Sequence, residues 1–115
     1  LPVLRARLAP DARARALAGM RVFAFAGIGR PSKFHATLRE AGAELVGTED
    51  YADHHPYTAA EIDRVLARAD ALGAVAVTTP KDRVRLPPDL PIRAAGVSLV
   101  WEDEAAIDAL LRDAA

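Results

Sequence analysis

The sequence predicts an α/β fold: a mostly parallel sheet of about four strands with helices on both faces, Rossmann-like in outline. Three observations carry that prediction. Short apolar runs at residues 21–26 and 74–78 stop abruptly at glycine or at a polar turn, as strands buried on both faces do. Stretches with apolar residues at helical spacing alternate with these runs, the order that builds βαβ units. Finally, the 115 residues, 51% of them hydrophobic, provide for one compact core and leave no room for two.

Each element follows from local chemistry. Residues 11–18 read as a short helix ended by Gly19. Arg21-Val-Phe-Ala-Phe-Ala26 is the first buried strand, stopped by Gly27-Ile28-Gly29. Pro31 fits the first turn of a helix, where its missing N–H costs nothing, and Phe34, Leu38 and Ala41 recur at helical spacing before Gly42. A second strand is expected at residues 44–48, and residues 49–57 lack periodicity and read as a loop. Thr58-Ala-Ala-Glu61 forms a capping box, in which hydroxyl and carboxylate each accept an orphaned backbone N–H. Ile62, Val65, Leu66, Ala69 and Leu72 line the inner face of that helix, which Gly73 stops. Residues 74–78 are the third strand and 81–86 a short helix, and Pro87-Pro88 and Pro91 keep the next stretch extended. Val97–Trp101 is expected to be the fourth strand, followed by a terminal helix with Ile107, Leu110 and Leu111 inward.

Composition excludes several classes. There is no cysteine, so disulfides, thiolate catalysis and cysteine metal sites are ruled out. A net charge of -1 gives no electrostatic case for nucleic acid, whose backbone binding needs a concentrated basic face. No apolar run approaches the roughly 20 residues that span a bilayer. No metal site is expected: two adjacent histidines seldom bind one ion, and no third ligand stands out. The start, Leu1-Pro2-Val3-Leu4, has no initiator methionine and is taken as the beginning of a piece of a longer protein.

In open parallel sheets, sites form at the carboxyl ends of strands, and three polar segments fall there. Gly27, Gly29 and Arg30 could present backbone N–H groups and a guanidinium to a phosphate, or could simply make a tight strand-to-helix turn. They match neither a Walker A loop nor a dinucleotide fingerprint. Thr78, Thr79, Lys81 and Asp82 offer hydroxyls, an ammonium and helix N–H groups to phosphate or ribose. The alternative makes a threonine the N-cap and pairs Lys81 with Asp82 in solvent. Asp53, His54 and His55 are more informative. Adjacent histidines beside a carboxylate in a polar loop are rarely needed for packing, and imidazole can relay a proton during transfer to a hydroxyl. Neighbouring loop residues point in different directions, so one of the two histidines is expected to reach a site. Pro56 and Tyr57 are expected to shape the helix entry, His35 to be a surface histidine, and Arg83 and Arg85 to be solvated or to grip a neighbouring domain.

Ala24-Phe-Ala-Gly-Ile-Gly-Arg-Pro-Ser-Lys-Phe34, Asp53-His-His-Pro-Tyr-Thr58 and Val77-Thr-Thr-Pro-Lys-Asp-Arg-Val-Arg-Leu86, in this order and spacing, resemble the C-terminal domain of tetraacyldisaccharide 4′-kinases. The resemblance runs from about residue 21 to 101. It implies transfer of the ATP γ-phosphate, with Mg²⁺, to the 4′-hydroxyl of a tetraacylated glucosamine disaccharide phosphate in lipid A synthesis, in the cytoplasm at the inner membrane. It further implies that the absent N-terminal domain carries the phosphate loop, the metal-binding groups, a catalytic aspartate and the membrane-associated segment. The C-terminal domain would close over the nucleotide, with His54 matching the family's catalytic histidine and His55 as the fallback. Pro80 stands where the family usually has glutamate. Alone, the chain is then expected to lack kinase activity. The alternative reading is a stand-alone α/β module that binds a nucleotide or sugar phosphate without catalysis, and a third is a purely structural domain.

Overall fold

A computed structural model describes residues 6–101. Four strands, β2 (Arg21–Gly27), β3 (Glu44–Tyr51), β4 (Val75–Thr78) and β5 (Ile92–Ala94), form a parallel sheet in the order β3-β2-β4-β5. A second, two-stranded antiparallel ribbon pairs β1 (Ala6–Pro10) with β6 (Val97–Trp101). The helices are α1 (Ala12–Arg15), α2 (Pro31–Glu40), α3 (Ala59–Ala71) and α4 (Pro80–Arg83).

The strand order dictates the layers. From β2 the chain crosses to β3 on one side, and from β3 it passes back over β2 to β4 on the other. Crossovers between parallel strands are right-handed, so two crossovers in opposite directions put their helices on opposite faces. Two apolar clusters result. Leu17, Val22, Ala24, Phe34, Leu38 and Val77 pack on the α1/α2 face, and Phe23, Phe25, Ile62, Val65, Ala69, Ala76 and Ile92 pack on the α3 face. Strand β2 alternates between them, so its residues 22–27 are all buried. That is why it reads as a continuous apolar run.

Helix boundaries follow the expected caps. Pro31 sits in the first turn of α2, and the chain leaves α2 through Gly42 at φ +93°, a backbone region that side chains rarely tolerate. The capping box of α3 is complete in both directions. The first helix is shorter than expected, because the chain is helical only through Arg15 and then turns to Gly19.

Three expectations are corrected. Strand β3 runs on to Tyr51, so residues 49–51, expected as loop, pair with Phe25, Ala26 and Gly27. The fourth strand of the parallel sheet is β5, inside the proline-bounded stretch expected only to be extended. Val97–Trp101 is indeed a strand but leaves that sheet to pair with β1, a strand that the sequence reading does not contain. The terminal helix with Ile107, Leu110 and Leu111 lies outside the described residues.

Arg83 explains how so short a β5 is held. It was expected in solvent or on another domain, but its guanidinium donates to the carbonyls of Leu86, Pro87, Pro88, Leu90 and Ile92 at 2.8–3.4 Å. Prolines contribute no N–H to a turn, and the arginine fork supplies donors to this stretch beside the two backbone N–H groups, of Leu90 and Ile92, that the Pro87 and Leu90 carbonyls accept.

Truncating Leu38, fully buried on the α1/α2 face, to alanine should cost about 2–5 kcal/mol of unfolding free energy. Val84→Ala, at a side chain 82% exposed, should stay within about 0.5 kcal/mol. Urea titration of the two variants checks the assignment of inside and outside.

Candidate active site at the strand ends

The sheet has its switch point between β2 and β4, whose following loops diverge to opposite sides. Ligand crevices in open α/β sheets form outside the carboxyl ends of such strands. The three polar segments leave the adjacent strands β3, β2 and β4 there, and hydrogen bonds join them directly. The Gly27 N–H donates to Asp82 Oδ2 at 2.7 Å, and the Tyr57 hydroxyl donates to the same oxygen at 3.0 Å. The His54 N–H donates to the Gly27 carbonyl at 3.2 Å. One carboxylate thus ties the glycine turn, the histidine loop and α4 together.

Asp82 is 1% exposed. A carboxylate so buried needs donors on its oxygens, and here they come from two distant parts of the chain, with Arg85 Nη1 3.7 Å from the other oxygen. Burial, followed by the Asp82 carboxylate accepting from it, pushes the Tyr57 phenol well above the ordinary tyrosine range. Tyr57 also meets Phe25, Tyr51 and His55 edge-on, with ring centroids 5.1–5.6 Å apart. Helix entry is therefore shaped by an aromatic cluster around a buried acid.

The two histidines are placed differently. The His55 ring stacks on Tyr51 at 4.7 Å, and its Nε2 lies 2.8 Å from Glu61 Oε2. Glu61 uses its other oxygen to accept the Thr58 N–H of the capping box. The Thr58 N–H, then His55, hold the Glu61 carboxyl below the usual carboxylate range. His54 is the opposite case. Its side chain is 67% exposed, with Nε2 3.7 Å from Asp53 Oδ2, and its backbone stands at φ +60°. Among the described residues it is the one non-glycine in that left-handed region. Such strain concentrates where a site needs a side chain aimed.

Gly27 allows the loop to come this close. A Cβ there would stand 2.8 Å from the Ala52 carbonyl and 3.3 Å from the His55 Cβ. Gly29 is different, since a Cβ there would touch nothing within 4 Å. Arg30 and Lys81 face an open groove of about 760 Å³ between α2, α4 and the ribbon, whose wall includes Ile28, Phe34, Thr79 and Val97. Lys33 lines the same groove, one helical turn past Arg30, and was missed in the sequence. No ion pair of Arg30, Lys33 or Lys81 occurs among the described residues.

The predicted ligand contacts therefore divide. Gly29, Arg30 and Lys81 are accessible, and Thr79 caps α4 by accepting the Asp82 N–H at 3.2 Å. Thr78 and Asp82 are buried, so they form the frame behind the crevice rather than direct contacts to a ligand. Arg85, expected in solvent or on another domain, instead donates to the His54 and His55 carbonyls at 3.3 and 3.1 Å. His35 is also no plain surface residue, since its side chain is only 14% exposed and its Nε2 lies 3.2 Å from Asp50 Oδ1. Among the described residues, no group of three or more acidic or histidine side chains could hold a metal ion.

This fold and this crevice define a Rossmann-like α/β domain that gathers glycine turns, cations and a strained histidine loop at a sheet switch point. The family described as LpxK, tetraacyldisaccharide-1-P 4′-kinase, matches residues 1–115, and the chain belongs to it. Among its relatives, the tetraacyldisaccharide 4′-kinase of Rhodospirillum centenum is 54% identical over 114 residues, 96% of this chain and 34% of that one. That of Paramagnetospirillum magneticum is 51% identical over 104 residues, 89% of this chain and 32% of that one. The chain thus spans about a third of the length of these curated relatives. A crystal structure of LpxK from Aquifex aeolicus, in complex with ATP, shares the fold with a TM-score of 0.59 at 20% identity. It covers 97% of this chain and 36% of that one.

Replacing Asp82 with alanine should cost on the order of 3 kcal/mol, since two donors lose a charged acceptor in the interior. The raised phenol sets a pH dependence whose sign is definite. The Tyr57 contribution is intact below about pH 10, the unfolded-state value, and is lost as pH rises through the higher folded-state value. Alkaline unfolding of Tyr57→Phe should therefore show a shallower loss of stability above that pH than the parent. An identical slope for the two would mean that the Tyr57–Asp82 bond does not form.

Proposed function

We propose that this chain is the C-terminal third of a kinase that transfers the ATP γ-phosphate to the 4′-hydroxyl of a tetraacylated glucosamine disaccharide phosphate. Its job is to close the site over the nucleotide. The observation that carries this reading is the convergence of the three strand-end segments, with His54 presented outward from a strained turn while His55 is locked behind it.

In such a transfer the sugar oxygen bonds to the γ-phosphorus, the bond from that phosphorus to the bridging oxygen of the leaving ADP breaks, and the hydroxyl proton must leave. His54 is assigned the handling of that proton, together with a carboxylate from the remainder of the protein. Asp53 is assigned a place beside it in the loop, its Oδ2 3.7 Å from His54 Nε2. An imidazole can both accept and donate a proton, which is what handling the hydroxyl proton requires. The nucleotide contacts assigned here are the Gly27–Gly29 turn, Arg30, Thr79 and Lys81. Cations without internal partners at a crevice favour an anion there. Most of the acceleration in phosphoryl transfer comes from positioning and charge neutralisation. The ligands of Mg²⁺ are assigned to the remainder of the protein, as are the phosphate loop and the membrane contact. No helix among the described residues is long and apolar enough to cross a membrane. Cytoplasmic placement at the inner-membrane face belongs to the same proposal.

In the full-length protein, His54→Ala should lower kcat by roughly 10²-fold or more while the KM for ATP changes little. Arg30→Ala and Lys81→Ala should mainly raise that KM. Wild-type turnover in His54→Ala would remove the proton-handling role. Nucleotide binding by this chain in a full-length protein with no 4′-kinase activity would support a binding module instead.

A further inference from the structure

We propose that Arg85 is a positioning residue for this reaction: its guanidinium holds the His54 backbone in the left-handed turn and so sets where the imidazole stands. The inference rests on the assignment of His54 above, but its structural half can be tested separately.

Nothing about the His54 side chain fixes its place. It is exposed, and its nearest charged neighbour, Asp53, is itself exposed and 3.7 Å away. The aim of the imidazole is therefore inherited from the backbone. That backbone adopts φ +60°, where a residue other than glycine is disfavoured and stays only if its surroundings over-determine it. Three contacts do so. The His55 N–H closes the turn onto the Ala52 carbonyl, the His54 N–H is held by the Gly27 carbonyl, and the carbonyls of His54 and His55 both accept from Arg85 Nη2.

Arg85 is itself located by the frame. It follows α4, and its Nη1 stands 3.7 Å from Asp82 Oδ1. The second oxygen of Asp82 accepts from Gly27 and Tyr57. The fork therefore bridges a buried, immobile acid and the exposed histidine turn. Lysine would keep the charge but would lack the planar fork that reaches the carbonyls and the carboxylate together. Arginine is thus needed for its shape as well as its charge.

The test uses the full-length kinase with Arg85→Ala and Arg85→Lys, alongside His54→Ala. Misplacement of a reacting group by a fraction of an ångström to an ångström costs about tenfold to 10²-fold in turnover. We expect that loss in kcat for both Arg85 variants, with the KM for ATP within about twofold and partial rescue of Arg85→Ala by added guanidinium. A second readout is independent of activity. Selective labelling of histidine reports the His54 Cα and Cβ shifts and its amide–Hα coupling, which distinguish positive from negative φ. These should move towards extended values in Arg85→Ala. His54 resonances that stay at wild-type values overturn the proposal, whatever the kinase assay gives. If they move while turnover is unchanged, the reading of His54 as the reacting imidazole fails, and the positioning role with it. Full activity in Arg85→Lys, or an absence of guanidinium rescue in a folded Arg85→Ala protein, also counts against the fork.

Discussion

A carboxylate in an apolar interior is tolerated only where donors surround it, and Asp82 meets that demand by recruiting the Gly27 N–H and the Tyr57 hydroxyl. The acid needs those donors, and they come from the last residue of β2 and from the residue before the N-cap of α3. One oxygen atom thus links the ends of two elements that lie far apart in the chain. The glycine turn is held at its first residue, the histidine loop at the helix entry, and Arg85 is steered from the other oxygen. Removing the acid would take away the bond that joins α4 to the glycine turn and to the helix entry, and leave the Gly27–His54 bond to hold the two loops.

The site consequently has an inside and an outside made from alternating residues of the same short motifs. Thr78 and Asp82 face inward and Thr79 and Lys81 outward, while His55 is inside and His54 outside. The inward residues Asp82 and His55 are bonded to other segments or to Glu61, whereas Lys81 and His54 are exposed at the crevice. Adjacent residues in a loop diverge by their backbone geometry, so the His54-His55 doublet yields one anchored and one exposed imidazole.

Much of this was legible in the sequence, for physical reasons. Strand β2 is buried on both faces, so its apolar run was unbroken, and the capping box of α3 is entirely local chemistry. The convergence of the three motifs followed from βαβ alternation alone. What escaped depends on contacts far apart in the chain. Strand β1 carries no apolar run and is defined by its pairing with β6. Strand β5 is three residues long, and Arg83 donates to carbonyls of the proline-rich stretch before it and to that of its own Ile92. Arg85 and the inward aim of Asp82 depend on which loop lies opposite, and no spacing along the chain encodes that. The mistaken place of β6 has the same origin: β-propensity identifies a strand but not its neighbour.

The ribbon of β1 and β6 joins Ala6 to Trp101, almost the whole described chain apart. Every other strand pairing links segments that a single helix or loop, or one intervening strand unit, brings together. Closing a long loop costs entropy that rises with the logarithm of its length, and such contacts reward the chain only after the parts between them are in place. The β1/β6 ribbon therefore carries the largest loop-closure cost of the strand pairings among the described residues, and it closes the two ends of the described chain onto each other like a clasp.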